Sequence, residues 1–181
     1  MRVINIGVHT VQKYQNPMCA CIGYFDGMHL GHQALVKATV ALARKHSCES
    51  ALITFEPDPW VTIKGLKDVK HITTMRQRIN RAVELGIQNI IILDFDKEMS
   101  ELSPTDFIHK TLAKLNLKGI VCGFDFHYGL HGAGDCNTLK EETDYDVVVV
   151  DAVEDEEGKI SSTRICDAII QGLSLIHISE P

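Results

Sequence analysis

Residues 18–34 read MCACIGYFDGMHLGHQA. The first six, MCACIG (18–23), are a short apolar run of the kind that forms a buried strand. Gly27 and Gly31 then frame two imidazoles, His29 and His32, with the carboxylate of Asp26 just ahead of them. The stretch LGHQALVKATVALARKH (30–46) has helical period, with Leu35, Val36, Val40 and Leu42 recurring near three and four apart. A strand, a glycine bend and an amphipathic helix in direct succession point to an α/β architecture.

The pattern repeats along the chain. SALITF (50–55), NIIILDF (89–95), GIVCGF (119–124) and DVVVVDAV (146–153) read as further strands. TTMRQRINRAVELG (73–86) is a helix with a threonine start and a glycine stop. SPTDFIHKTLAKLN (103–116) has Ser103 as N-cap and Pro104 at the first helical position. SSTRICDAIIQG (161–172) opens on serine cap chemistry and closes at Gly172, and the acidic EDEEG (154–158) reads as a solvated hairpin or loop. Apolar strands separated by amphipathic helices imply a Rossmann-like, doubly wound parallel sheet covered on both faces. Ligands bind such sheets beyond the carboxyl ends of the strands. That rule selects GYFDGMHLGH, GFDFHYGLHGAGD and ISSTR.

Composition narrows the function. A net charge of −6 offers no general basic surface to nucleic acid, so an anionic ligand must be held by local groups. No apolar run approaches the roughly eighteen residues that span a bilayer, and MRVINIGVHT lacks the apolar core of a signal peptide. A cytoplasmic protein is expected, with no membrane or nucleic-acid partner. Its six cysteines, Cys19, Cys21, Cys48, Cys122, Cys136 and Cys166, form no CxxC pair and are expected as small core residues.

The histidine bend suits phosphate. A helix N-terminus carries unpaired N–H groups and a partial positive charge. Glycines let the backbone approach an anion closely, and two imidazoles add donors. An imidazolium would bind phosphate more strongly than a neutral ring. A structural zinc site is the rival reading, with Cys19 or Cys21 as further ligands. Those cysteines belong to a buried strand, and no second ligand pair has suitable spacing.

His29-Leu30-Gly31-His32 is the HxGH signature of the nucleotidylyltransferase superfamily, and FDGMHLGH resembles one branch, the bacterial FAD synthetases. These are bifunctional riboflavin kinases and FMN adenylyltransferases, and the likeness is to the N-terminal adenylyltransferase module. GFDFHYGLHGAGD (123–135) is similar to the family's GxDFxFGxxxxGD, with Tyr128 where phenylalanine is usual. ISSTRIC (160–166) resembles ISSTRIR, with Cys166 in place of arginine. FEPDP (55–59) is similar to FEPHP, and Gly23-Tyr24-Phe25-Asp26 to GNFDG, with Asp58 and Tyr24 as the departures. The likeness runs from about residue 18 to 172 with the motifs in order.

The resemblance implies an FMN adenylyltransferase: FMN and ATP give FAD and pyrophosphate, with Mg²⁺ accompanying ATP. His29 and His32 are then transition-state donors, not nucleophiles, and Asp26 an orienting, turn-capping or Mg²⁺-linked carboxylate. Gly23, Phe25, Gly27 and Gly31 belong to the ATP bend. Ser161, Ser162, Thr163 and Arg164 are expected to bind the β- and γ-phosphates. Asp125, Phe126, Tyr128, Gly129 and Asp135 are expected at the flavin: the two aromatic rings meet the flavin or pin the loop to the core, and the two carboxylates hold ribityl hydroxyls, backbone amides or Mg²⁺, while His127 and His131 are surface residues. Direct metal ligands stay open.

Cys166 cannot supply the charge of a guanidinium, so slower turnover is expected unless Arg164 substitutes. The alternatives are another HxGH enzyme, acting on phosphopantetheine or nicotinate mononucleotide or using CTP, and a catalytically weak flavin- or nucleotide-binding module. Residues 1–172 are expected as the adenylyltransferase domain. LSLIHISEP (173–181) is unlike the family's linker and reads as adapter-derived text. Riboflavin kinase activity is therefore not expected from this polypeptide, and a monomer is.

Overall fold

The computed structural model describes residues 1–67 and 69–172, so the reading of the tail at 173–181 falls outside the described residues. Six strands form one sheet: β1 (Arg2–Ile6), β2 (Met18–Ile22), β3 (Glu49–Glu56), β4 (Asn89–Asp94), β5 (Leu117–Gly123) and β6 (Asp146–Val150). Their order is β1-β4-β3-β2-β5-β6, and every pairing is parallel. Among the described residues seven α-helices accompany them: α1 (Leu30–Lys45), α2 (Pro59–Lys64), α3 (Met75–Glu84), α4 (Lys97–Ser100), α5 (Pro104–Lys110), α6 (Cys136–Glu142) and α7 (Ser162–Ile170). A two-stranded antiparallel hairpin, β7 (Glu154–Asp155) and β8 (Gly158–Lys159), precedes α7.

The period-2 geometry of the strands sorts the core into two layers. Cys19 and Cys21 of β2, Leu52 of β3, Ile90 and Ile92 of β4 and Val121 of β5 face one side, with Leu35, Val36 and Leu42 of α1 and Ala82 of α3. Ala20 and Ile22, Ala51 and Ile53, Ile91 and Leu93, and Ile120 and Cys122 face the other, with Phe107 and Ile108 of α5 and Leu139 of α6. Burial on both faces is why β2 is apolar throughout.

The chain steps from β2 to β3 to β4 in one direction, then crosses to β5 on the other side of β2. The strand order therefore reverses between β2 and β5, and the crevice at such a reversal is where open α/β sheets bind ligands. The two loops that leave these strands are the histidine bend and the 123–135 loop.

Several elements differ from the sequence reading. β1 is an edge strand paired only with β4. The helices α2, α4 and α6 are short segments that periodicity does not register. The expected helix at 103–116 stops at Lys110, because Thr111 leaves helical geometry with φ −123° and ψ −68°.

Candidate active site

The bend between β2 and α1 is built from unusual backbone. Phe25, Gly27 and Met28 all have positive φ, at 60°, 77° and 41°. The Phe25 side chain is fully buried and its ring centroid lies 5.2 Å from that of His32. The phenylalanine expected at the phosphates thus supports the His32 ring from within the core.

His29 is the N-cap of α1, and its Nδ1 accepts from the His32 amide at 3.4 Å. An accepting Nδ1 leaves the proton of the neutral ring on Nε2, a free donor. The two rings stack with centroids 3.7 Å apart and planes 24° apart. An added Cβ at Gly31 would come within 3.1 Å of His29 Cε1, so a side chain there would displace the ring. Burial and then the charge of Lys159 push His29 down to about 4. Burial, the neighbouring His29 and Arg78 hold His32 well below the ordinary imidazole value. Both shifts favour neutral rings in the empty site, so neither imidazole brings a charge of its own to an incoming phosphate.

Asp26 is held inside the protein. Its Oδ2 accepts from the Ile72 amide at 3.0 Å, and its Oδ1 accepts from the Thr73 amide and hydroxyl, both at 2.9 Å, and from Arg78 at 3.2 Å. Burial works to raise its pKa, but these hydrogen bonds and the Arg78 charge hold it below the usual carboxylate range. With both oxygens accepting hydrogen bonds, Asp26 fixes the bend, the orienting role among those expected of it. Gly27 likewise turns inward: its amide donates to Thr73 Oγ1 at 2.9 Å.

A cavity of about 1040 Å³ opens at the β2–β5 crevice. Gly23, Tyr24, His29, Gly31 and His32 line one wall. Phe124 to Gly132 of the long loop line another, and Ser161 and Ser162 contribute the start of α7. Phe55, Trp60, Ile63 and Phe95 complete an aromatic and aliphatic side. Its size is at the top of the range for small-molecule sites.

Ser161 caps α7 by accepting from the Arg164 amide at 3.3 Å. Ser162 Oγ donates to the Asp26 carbonyl at 2.8 Å, tying α7 to the histidine bend. Thr163 is exposed and does not line the cavity. Arg164 is turned away: its guanidinium pairs with both oxygens of Asp155, at 2.7 and 2.8 Å, and with Glu157 at 2.8 Å. The acidic stretch at 154–158 is therefore a hairpin, as one sequence reading had it, and it holds the arginine expected at the phosphates.

In the long loop, Tyr128 exchanges backbone hydrogen bonds with Gly134, at 2.9 and 3.0 Å. Its ring is buried between Phe107 and Phe126, with centroids at 5.4 and 5.7 Å. Phe126 lines the cavity, and Gly129 makes a positive-φ corner against Pro104. Asp125 pairs with Lys159 at the cavity wall. Asp135 is not in the cavity but caps α6, accepting from the Asn137 and Thr138 amides at 2.9 Å. His127 and His131 are exposed and stand on the cavity wall.

Sequence reasoning passed over Lys159 and Trp60. Lys159 immediately precedes the ISSTR motif and Trp60 immediately follows FEPDP, so adjacency was the available signal. Arg78 and Thr73 carry no motif, and only the fold brings them to Asp26.

The family described as FAD synthetase matches residues 11–164. A bifunctional riboflavin kinase/FMN adenylyltransferase of Listeria monocytogenes is 36% identical over 154 residues, covering 83% of this chain and 49% of the relative. Its counterpart in Bacillus subtilis is 32% identical over 179 residues, covering 96% and 57%. The chain thus spans about half the length of these curated relatives. A crystal structure described as a macrolide-efflux protein from Streptococcus pneumoniae superposes with a TM-score of 0.80 at 31% identity, over 92% of this chain and 56% of that one. Among the described residues no helix is long and apolar enough to cross a membrane. A match spanning most of the chain, from ahead of β2 into α7, encloses both the histidine bend and the long loop, and this chain belongs to the FAD synthetase family.

Proposed function

We propose that the protein transfers AMP from ATP to the phosphate of FMN, giving FAD and pyrophosphate. The stacked His29–His32 pair, set at the start of α1 and opening on a cavity shared with the start of α7, carries this reading. The FMN phosphate oxygen attacks the α-phosphorus in line as the bond to the pyrophosphate oxygen breaks. Charge grows on the phosphoryl and leaving oxygens, and fixed donors aimed at it lower the barrier. His29, through Nε2–H, and His32 serve as neutral donors to those oxygens. The Ser161 and Ser162 region offers the amides of α7 to the departing pyrophosphate. Phe126 and the aromatic wall hold the isoalloxazine ring, and Lys159, although paired with Asp125, brings an ammonium group to the wall.

Among the described residues no cluster of three or more His, Cys, Asp or Glu is arranged to hold a metal. Mg²⁺ would arrive as its ATP complex, since Mg²⁺ binds through one or two carboxylates and substrate phosphates. Asp125 and Asp151 on the cavity wall would hold it there, and its chemistry would be charge neutralisation on the phosphates. The proposed substrates are soluble nucleotides, which supports a cytoplasmic site of action.

A second reading rests on Arg164. With that guanidinium committed to Asp155 and Glu157, and with Cys166 at the other arginine position, a weak enzyme or a binding module follows. One experiment separates the readings. Purified protein is mixed with FMN, ATP and Mg²⁺, and FAD and pyrophosphate are measured by chromatography. Parallel arms offer CTP, phosphopantetheine and nicotinate mononucleotide. FAD formed only from FMN with ATP is the expected result. FMN binding by fluorescence without FAD formation selects the binding module, and turnover with another acceptor overturns the proposal.

A further inference from the structure

We infer that Arg78 is a positioning residue for the histidine pair: from α3 it fixes the backbone of the bend that aims His29 and His32. This rests on the adenylyl-transfer reading of the site.

Arg78 is 3% exposed and does not line the cavity. It reaches the bend at two points that precede Gly27 in the chain. Its Nη1 donates to the Tyr24 carbonyl at 3.3 Å, and its Nη2 to Asp26 Oδ1 at 3.2 Å. Its Nη2 also donates to the Thr73 carbonyl at 3.0 Å and its Nε to Thr73 Oγ1 at 3.4 Å. The guanidinium carbon lies 4.3 Å from the Tyr24 ring centroid. The same threonine hydroxyl accepts from the Gly27 amide at 2.9 Å. One planar fork therefore grips the residue before Phe25 and the residue after it.

The grip matters because of what it holds. Phe25 and Met28 are non-glycine residues with φ of 60° and 41°, on either side of Gly27 at 77°. Such conformations persist only where the surroundings over-determine them. His29 follows directly, and its ring faces the cavity through the cap it forms on α1. If the bend relaxes, the imidazoles move before any other group in the site. Lysine would keep the charge but not the fork.

The test compares Arg78→Gln with Arg78→Lys. Circular dichroism and thermal melting establish the folded fraction, and kcat and KM for ATP and FMN are measured per folded molecule. The ring nitrogens of His29 and His32 are followed by ¹⁵N–¹H correlation, which needs no turnover. Misplacement on the ångström scale predicts that Arg78→Gln loses roughly thirtyfold or more in kcat with little change in KM. Its histidine resonances shift, and Arg78→Lys recovers part of both. A folded Gln variant with wild-type kcat and unmoved resonances overturns the inference, as does a loss of activity fully accounted for by a smaller folded fraction. Where the Gln variant does not fold, Thr73→Val removes the hydroxyl shared by Gly27, Asp26 and Arg78 and carries the same two outcomes. Where the wild-type protein forms no FAD, the functional reading fails, and the ring resonances alone decide the role of Arg78.

Discussion

Position 166 tests whether the phosphate end of the site is complete. Cys166 lies one turn into α7, half-buried, where side chains slant back toward the helix start. Arg164 does not make up the missing charge, because Asp155 and Glu157 already hold it. Cys166→Arg should therefore raise kcat, by an amount on the order of tenfold for one charge-assisted donor at a developing anion. Steady-state FAD formation measures it, and an unchanged rate sinks the assignment. Asp26 makes the opposite kind of prediction. Its carboxylate completes a pair with Arg78 in which the side chains are 10% and 4% exposed. Asp26→Asn leaves the guanidinium without its counter-charge, at a cost of about 3 kcal/mol. Chemical denaturation reads this, and a loss under ~1 kcal/mol would mean that the amide hydrogen bonds, not the charge, hold the bend.

Among the elements, the 123–135 loop depends most on one residue. Gly129 has φ 74° and ψ 179°, and an added Cβ would lie 2.8 Å from Pro104 N. Gly129→Ala must therefore move the loop or the start of α5. The expected outcome is weaker FMN binding, roughly tenfold in KM, with the KM for ATP little changed, because the histidine bend is anchored elsewhere. Equal effects on both substrates would place the loop outside the flavin site. The same loop shows what a sequence can disclose. The helix α1 is legible from its apolar period, and α3 and α7 from a hydroxyl cap at Thr74 or Ser161 with a glycine at Gly86 or Gly172 after the last turn. The short α2, α4 and α6 have no such period and are nucleated by the caps Asp58, Asp96 and Asp135. Asp135 with Thr138 is a capping pair, and Asp58-Pro59 is a helix start, so both were readable as caps. Asp135 takes the backbone-amide role, one of the three that the sequence left open for it. The grip of Arg78 on Asp26 and of Asp155 on Arg164 could not be read, because each needs two elements brought together by the fold.

At the scale of the molecule, placing neutral imidazoles in the crevice ties stability to pH. In the unfolded chain both histidines titrate near 6.5. In the folded chain His29 is held down to about 4, and His32 well below its ordinary value. Below pH 6.5 the unfolded state thus binds protons that the folded state refuses, and the fold weakens as pH falls toward 4. For His29 alone the loss across that window is on the order of 3 kcal/mol. Asp26 adds to it only below about pH 4, since its depressed pKa stabilises the fold until its carboxylate is protonated. Urea denaturation from pH 8 to 4 should show a plateau above 7 and a steep decline from 6.5. His29→Asn is the informative variant, because asparagine can replace the N-cap acceptor without titrating. It should flatten the decline by about one proton, close to 1.4 kcal/mol per pH unit at its steepest. A slope identical to wild type would mean that His29 takes up its proton in the folded state, and that the ring meeting the triphosphate is charged after all.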